Sequence, residues 1–93
     1  MAPSLGDIEG FEWLDWVVEK IIVKHGVDTV EVEECFVNQP QKIRRMRDGK
    51  YQLFGQTDSG RYLFVVFVWN GRYVRVITAR DMDRSERAAF HRK

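Results

Sequence analysis

Residues 49–80 of the chain are GKYQLFGQTDSGRYLFVVFVWNGRYVRVITAR. The triplet of glycine, basic residue and tyrosine begins at Gly49, Gly60 and Gly71, so it recurs every eleven residues. Each copy is followed by a run of alternating or continuous apolar residues of strand character, and this period is the length of one strand and one turn. The stretch therefore predicts consecutive antiparallel strands with glycine at the turns.

Two dipeptides in this region, DG at 48–49 and NG at 70–71, are favoured in two-residue hairpin turns because both central residues adopt positive φ. A turn of fixed length fixes the register of its hairpin. The predicted cross-strand pairs are Arg47 with Lys50, Trp69 with Arg72, Phe67 with Val74, Val66 with Arg75 and Arg61 with Arg80.

This register divides the side chains of the predicted sheet between two faces. One face is apolar and is expected to seat the helices; it holds Met46, Tyr51, Leu53, Leu63, Val65, Phe67, Trp69, Val74 and Val76. The second face is expected to combine basic and aromatic side chains, namely Arg45, Arg47, Lys50, Gln52, Phe54, Tyr62, Phe64, Tyr73 and Arg75.

Upstream of the strands, apolar spacing predicts a first helix. A short extended segment at 11–13 precedes it, Asp15 is predicted to cap it, and Gly26 stands where a left-handed C-cap belongs. The apolar positions at helical spacing are Leu14, Val17, Val18, Ile21 and Ile22.

Two further helices are indicated by capping boxes, in which a side chain at each end of the first turn binds the backbone of the other. Asp28 with Glu31 opens a second helix, and Asp83 with Glu86 opens a short C-terminal helix. The inner face of the second helix is predicted to hold Val32, Cys35 and Phe36. The predicted fold class is α+β: a small antiparallel β-meander packed on one face by two N-terminal helices, with a short C-terminal helix.

Composition agrees with one globular domain spanning residues 1–93, since 44% of the residues are hydrophobic and 31% are charged. No apolar run approaches the roughly 20 residues of a membrane span, and the first residues lack a secretory signal. Cys35 is the only cysteine, which excludes an internal disulfide and is typical of a buried small hydrophobe. A cytoplasmic location with no membrane association is therefore expected.

The net charge of +1 conceals an asymmetry along the chain. Residues 1–35 carry a net charge of −7 and residues 36–93 a net charge of +8. Either the second part binds a polyanion, or the two parts simply neutralise each other in the fold. Basic residues at 44–47 have a further explanation, because cations on an edge strand prevent aggregation.

Guanidinium groups interleaved with aromatic rings suit single-stranded RNA, because Arg binds phosphate through two hydrogen bonds and rings stack on bases. We found no metal-ligand spacing, no phosphate-binding glycine loop and no nucleophile motif, so no cofactor is expected. The compatible chemistry is metal-free transesterification, in which the RNA 2′-hydroxyl attacks the adjacent phosphate. His25 and Glu86 are candidates for proton transfer, although His25 also suits a helix C-terminus and Glu86 a cap.

Five segments of the chain resemble the BrnT family of bacterial type II toxins. They are FEW (11–13), KHGV (24–27), VEVEE (30–34), GRYLFVVF (60–67) and RVITARDM with a following ER (75–87). Such toxins are similar to compact RelE ribonucleases. The resemblance implies the catalytic residues Lys24, His25, Lys50, Arg75, Arg80 and Glu86, and we expect RNA contacts at Arg45, Arg47, Arg61, Tyr62, Phe64 and Tyr73. The chain departs from the family pattern at Val17 and Ile21, where many members carry Lys and Asn, and at Phe90, where Tyr is frequent.

The resemblance also implies a function and partners. It implies a ribonuclease toxin that inhibits translation, a BrnA-like antitoxin that neutralises it, and operator DNA binding only through that antitoxin. The alternative is a non-catalytic module that keeps the toxin fold, pairs with the antitoxin and takes part in autorepression of the operon. The departures at Val17 and Ile21 favour the alternative, and the retained block from Arg75 to Arg80 favours the ribonuclease.

Overall fold

The computed structural model describes residues 5–92. Its elements confirm the predicted α+β order, in which two helices precede a β-meander and a third helix follows it. They are β1 (Gly10–Glu12), α1 (Asp15–His25), α2 (Thr29–Val37), β2 (Lys42–Arg45), β3 (Tyr51–Gln56), β4 (Tyr62–Asn70), β5 (Tyr73–Asp81) and α3 (Arg84–Phe90).

The five strands form one sheet in the order β1-β5-β4-β3-β2. The four strands from β2 to β5 pair antiparallel, as predicted, whereas β1 joins the far edge parallel to β5. α1 and α2 cover one face of this sheet and form the main core with it, which consists of Val17, Ile21, Val27, Val32, Cys35, Phe36, Leu53, Leu63, Val65, Phe67, Val74, Val76 and Ala79. α3 packs on the other face through a second, smaller cluster of Phe64, Met82 and Phe90.

α1 begins at Asp15, the residue predicted to cap it, so its N-cap lies one residue earlier than predicted. Leu14 is the N-cap and makes no side-chain cap hydrogen bond, so the prediction that Asp15 caps the helix is wrong; Asp15 is the first helical residue. Its charge still suits the positive end of the helix dipole. Gly26 confirms the C-cap prediction with φ 62° and ψ 30°.

The buried stripe of α1 is narrower than predicted. Val17 and Ile21 are fully buried, but Ile22 is 49% exposed. A helix lying on a sheet buries only the row of side chains nearest to the strands, so the neighbouring apolar residues stay at the margin.

Both predicted capping boxes are present. The Asp28 carboxylate accepts from Val30 N–H while Glu31 accepts from Asp28 N–H, and Asp83 and Glu86 repeat the arrangement at α3. Val32, Cys35 and Phe36 face the core as predicted. Cys35 is fully buried, which confirms the prediction of a buried small hydrophobe, and burial raises the pKa of its thiol to about 12.

The register of the β2–β3 hairpin differs from the prediction by one residue. The turn itself forms as expected, with φ of 63° at Asp48 and 74° at Gly49. However, the Lys50 carbonyl accepts from Met46 N–H and not from Arg47 N–H, so Arg47 is an extra residue and does not pair with Lys50. A shift of one residue exchanges the faces of β2.

The β4–β5 hairpin also departs from the prediction. Its turn lies at Gly71 and Arg72, so Asn70 pairs with Tyr73 and the register moves by two residues, which preserves the faces near the turn. Farther along, Val66 pairs with Thr78 and Phe67 with Val76, which leaves Ile77 as a bulge. The bulge reverses the faces of the rest of β5. Arg80 consequently lies opposite Phe64, and its predicted pairing with Arg61 is wrong.

Candidate functional site: a basic sheet face beside a groove

The face of the sheet opposite α1 and α2, which we call the open face, carries side chains that alternate with the core residues. These are Glu12, Lys42, Arg44, Lys50, Gln52, Phe54, Tyr62, Phe64, Val66, Val68, Tyr73, Arg75, Thr78 and Arg80. Cations outnumber carboxylates on it, whereas most acidic residues of the N-terminal part lie on or beside the helices of the other face. The charge asymmetry of the sequence is thus a difference between two sides of the molecule.

The register changes which basic residues of β2 belong to the open face. Arg45 is paired with Tyr51, which packs against the main core, and Arg47 lies in the turn, so placing these two on the open face was wrong. Lys42 and Arg44 take their positions, because they pair with Phe54 and Gln52. The extra residue in the turn is the physical cause.

The aromatic residues predicted to stack on bases are mostly covered. Phe64 is only 8% exposed, and the Tyr62 and Phe90 rings meet edge to face at 5.9 Å between centroids. The prediction of an exposed ring at Phe64 is therefore wrong, and the same cover leaves Tyr62 half-buried, because α3 folds back over this end of the sheet. Tyr73 alone of the three is well exposed, at 45%.

A groove of about 610 Å³ runs between α3 and the strands at the β2 edge, and we call it the α3 groove. Its wall on the sheet side is basic and its floor is aromatic. It is lined by Lys42, Ile43, Arg44, Gln52, Phe54, Phe64, Ser85, Glu86, Ala89 and Phe90. The sequence predicted Phe54 and Phe64 on this face, but neither the cations Lys42 and Arg44 nor the concave shape, which depends on where α3 packs.

Arg80 and Glu86 form a two-pronged ion pair at the groove. The two Nη atoms of Arg80 donate to the two carboxylate oxygens of Glu86 at 2.7 and 2.9 Å, and Nη1 also donates to the Asp81 carbonyl. The Arg80 guanidinium holds the pKa of Glu86 below its usual value. Within the described residues, Nε–H and one Nη2–H of Arg80 have no acceptor, so one edge of the planar group is free for a phosphate.

Arg75 lies on the open face in the same cross-strand row as Val68 and Glu12. Its Nε donates to Glu12, whose other oxygen accepts from Asn70, and these bonds lower the pKa of Glu12. Both Nη groups of Arg75 lack acceptors among the described residues. Lys50 continues the row on the far side of Val68, exposed and without an ion pair in the described part of the chain.

Arg61 lies at the margin of the sheet, where every donor of its guanidinium is used by the fold. It binds both oxygens of Asp81 at 2.7 and 3.0 Å and contacts Glu31 at 3.1 Å. It also donates to the carbonyls of His25 and Gly26. These bonds tie the α1–α2 turn to the ends of two strands and leave no donor for a phosphate.

The predicted catalytic residues thus separate into two groups. Lys50, Arg75, Arg80 and Glu86 share the open face and its groove, whereas Lys24 and His25 end α1 on the helix-covered side. Val17 and Ile21, where the resemblance expected Lys and Asn, are core residues with no exposed surface. At those positions this chain has packing rather than a polar site.

The described residues form neither a metal-binding cluster nor a membrane-spanning helix. Residues 5–92 contain no group of three or more His, Cys, Asp or Glu side chains placed to hold a metal ion. None of the helices in that range has both the length and the apolar character needed to cross a bilayer.

Comparisons with known proteins bear on the family and the fold of the chain. The family model described as "Ribonuclease toxin, BrnT, of type II toxin-antitoxin system" matches residues 15–86. Among solved structures, the crystal structure of the Brucella abortus ribonuclease toxin BrnT is similar, with a TM-score of 0.68 and 19% sequence identity over 81% of this chain and 97% of that chain. At this identity the likeness shows the fold. No curated protein matches the chain.

Proposed function

Since the chain belongs to the BrnT family of ribonuclease toxins of type II toxin-antitoxin systems, we propose that its open face cleaves RNA without a metal ion and thereby inhibits translation in the cytoplasm. The observation that carries this proposal is the free guanidinium edge of Arg80, which Glu86 holds beside the α3 groove. A fixed, planar, charged donor is the kind of group that stabilises charge developing on a phosphate.

The reaction proceeds by attack of the RNA 2′-oxygen on the neighbouring phosphorus. The 2′-hydroxyl loses its proton, the bond from phosphorus to the 5′-oxygen breaks, and that oxygen gains a proton. The products are a 2′,3′-cyclic phosphate and a 5′-hydroxyl. Arg80 and Arg75 supply donors to the non-bridging oxygens, and Lys50 adds positive charge on the same face.

Of the two candidates for proton transfer, Glu86 lies on the reacting side and His25 lies across the sheet. We therefore assign proton acceptance to Glu86. Its lowered pKa makes it a weak base, so most of the rate enhancement falls to the arginines. Glu86 also positions Arg80, because its two oxygens fix the plane of the guanidinium.

Expression tests the function directly. Bacteria that express the soluble chain without its antitoxin are expected to stop protein synthesis and to accumulate RNA fragments with cyclic phosphate ends. Purified protein is expected to cleave RNA equally well in EDTA. Normal growth with intact RNA would reject the toxin function, and loss of cleavage in EDTA with recovery in Mg²⁺ would reject the metal-free mechanism.

The second candidate function is a non-catalytic module that binds a BrnA-like antitoxin and takes part in autorepression, with operator DNA contacted only by the antitoxin. It is favoured by the carboxylate partners of Arg75 and Arg80, which already neutralise both cations. Cognate antitoxin binding together with absence of RNA cleavage by the free protein would select this function.

A further inference from the structure

The geometry points to β2 as the docking edge for an extended, acidic segment of the cognate antitoxin, which would add a sixth strand to the sheet. This inference rests on the proposed function, because it takes the partner from the toxin-antitoxin pairing. It concerns where that partner binds and what its binding segment is made of.

The first observation is an unpaired backbone edge. β2 is the outermost strand of the sheet, and no strand among the described residues lies beyond it. In an antiparallel ladder, hydrogen-bonded pairs alternate with pairs whose backbone groups point outward. Met46 N–H bonds the Lys50 carbonyl, so this alternation directs the N–H and C=O of Ile43 and Arg45 away from β3. An added strand binds such groups directly.

The second observation is charge. All four side chains of β2 are exposed, and three of them are cations. Arg44, Arg45 and the adjacent Arg47 have no ion pair or hydrogen bond within residues 5–92, in contrast to Arg61, Arg75 and Arg80. Basic side chains alternate to both faces of this edge, so a segment with carboxylates on both of its faces complements it.

The third observation is the α3 groove, which begins at the same edge. Lys42 and Arg44 lie on its wall, and Phe54 lies on its floor. A strand added along β2 places every second side chain over the groove, so an apolar side chain there contacts the ring while carboxylates meet the cations. Docking at this edge would therefore cover the entry to Arg80 and Glu86.

The unpaired backbone favours a protein over RNA as the occupant. An extended peptide supplies alternating N–H and C=O groups at the strand repeat of about 3.3 Å, and RNA phosphates supply no donor for the outward carbonyls of Ile43 and Arg45. RNA would bind this edge mainly through the basic side chains, because its hydroxyl and base donors do not repeat at the strand spacing.

The test compares Ile43→Pro with Ile43→Ala, using the purified cognate antitoxin as the probe. Proline removes the outward N–H without breaking the β2–β3 ladder, and alanine removes the side chain but keeps the N–H. Ile43→Pro is expected to weaken antitoxin binding about tenfold relative to Ile43→Ala. In the wild-type complex, the Arg45 amide is expected to exchange its hydrogen more slowly than in the free protein.

Equal antitoxin affinity of the two variants, with the Arg45 amide unprotected in the complex, would overturn the docking edge. If Ile43→Pro fails to fold, the exchange measurement on wild type decides alone. RNA cleavage by the free proteins separates this inference from the proposed function. If Ile43→Pro weakens antitoxin binding but the wild-type protein does not cleave RNA, β2 remains the docking edge and the catalytic function is rejected. Weaker RNA binding with unchanged antitoxin binding would assign the edge to RNA.

Discussion

Arg80 lies opposite Phe64 across the β4–β5 ladder, and its guanidinium carbon is 4.3 Å from the centroid of the Phe64 ring. The ring supports one face of the guanidinium, and Glu86 binds one of its edges. An arginine held in this way loses little freedom when it binds a phosphate.

Replacing Arg80 by lysine separates charge from shape. Arg80→Lys keeps the positive charge but loses the planar fork, so RNA cleavage is expected to fall by about two powers of ten. The control is Arg84→Lys on the exposed side of α3, for which cleavage should stay within about twofold of wild type. Single-turnover cleavage of a defined RNA measures both, and equal activities would show that only charge is needed.

Arg75 is predicted to act on catalysis more than on folding. Arg75→Ala is expected to lower cleavage by about two powers of ten if its free Nη groups stabilise the phosphorane. The melting temperature should change little, since the Arg75 side chain is 38% exposed and Glu12 keeps its bond to Asn70. A large fall in melting temperature with unchanged activity per folded molecule would make Arg75 a structural residue.

Adjacent arginines of β2 offer a test of the register. Arg44 faces the α3 groove, and Arg45 faces the helix side. Arg44→Ala is expected to weaken RNA binding and to reduce the salt dependence by about one phosphate contact, whereas Arg45→Ala should have a smaller effect. RNA-binding titrations of both variants at several salt concentrations measure how steeply the affinity falls with salt. The opposite ranking would restore the register that the sequence predicted.

Local signals in the sequence were sufficient to predict the helices and strands. The capping boxes at Asp28 and Asp83 and the left-handed Gly26 each depend on a few neighbouring residues, and all three are present as predicted. Strand order within the meander followed from the short turns. The family resemblance, also visible in the sequence, is confirmed by the match to residues 15–86.

The face of the sheet on which each side chain lies was harder to predict, because one extra residue in a turn or strand moves the side chains beyond it to the other face. One extra residue at Arg47 exchanged Arg45 for Arg44 on the open face, and the bulge at Ile77 brought Arg80 to the same face. The Ile77 carbonyl accepts from Lys20 of α1 at 2.9 Å, so part of what stabilises the bulge comes from a distant element. The position of α3, and therefore the groove, also depends on tertiary packing.

Acid is predicted to weaken the fold through the carboxylates paired with arginine. Arg80 lowers the pKa of Glu86 below the ordinary value of 4.5, and Arg61 lowers that of Asp81 below 3.8. A carboxyl with a lowered pKa in the folded state stabilises the protein above its unfolded pKa, and this stabilisation is lost as the pH falls through the folded value. The melting temperature should therefore begin to decline as the pH falls below about 5, and it should go on declining as the pH falls below the ordinary pKa of Asp81.

The contribution of one pair to this decline can be isolated. Glu86→Gln removes the titrating group, so the variant should melt lower than wild type near pH 7 and the difference should shrink as the pH falls. A difference that stays constant down to pH 3 would show that the ion pair adds nothing to the pH dependence.

Of the ion pairs in the described residues, the cluster of Arg61 with Asp81 and Glu31, which we call the Arg61 cluster, is predicted to contribute most to stability. Arg61→Ala removes the donor to the carbonyls of His25 and Gly26 and leaves Asp81 and Glu31 without their partner. Loss of several charge-assisted hydrogen bonds that join three elements is expected to cost about 1–3 kcal/mol of unfolding free energy. Denaturant unfolding measures this value.

The matched control for the Arg61 cluster is Arg72→Ala. Arg72 approaches Glu9 at 4.0 Å, and both side chains are more than half exposed, so this replacement should change the unfolding free energy by less than about 0.5 kcal/mol. Because Arg61 has no free donor, Arg61→Ala should keep the cleavage activity of wild type per folded molecule at a temperature well below its melting point. A folded Arg61→Ala protein without cleavage activity would instead place Arg61 among the RNA-binding residues, as the sequence alone suggested.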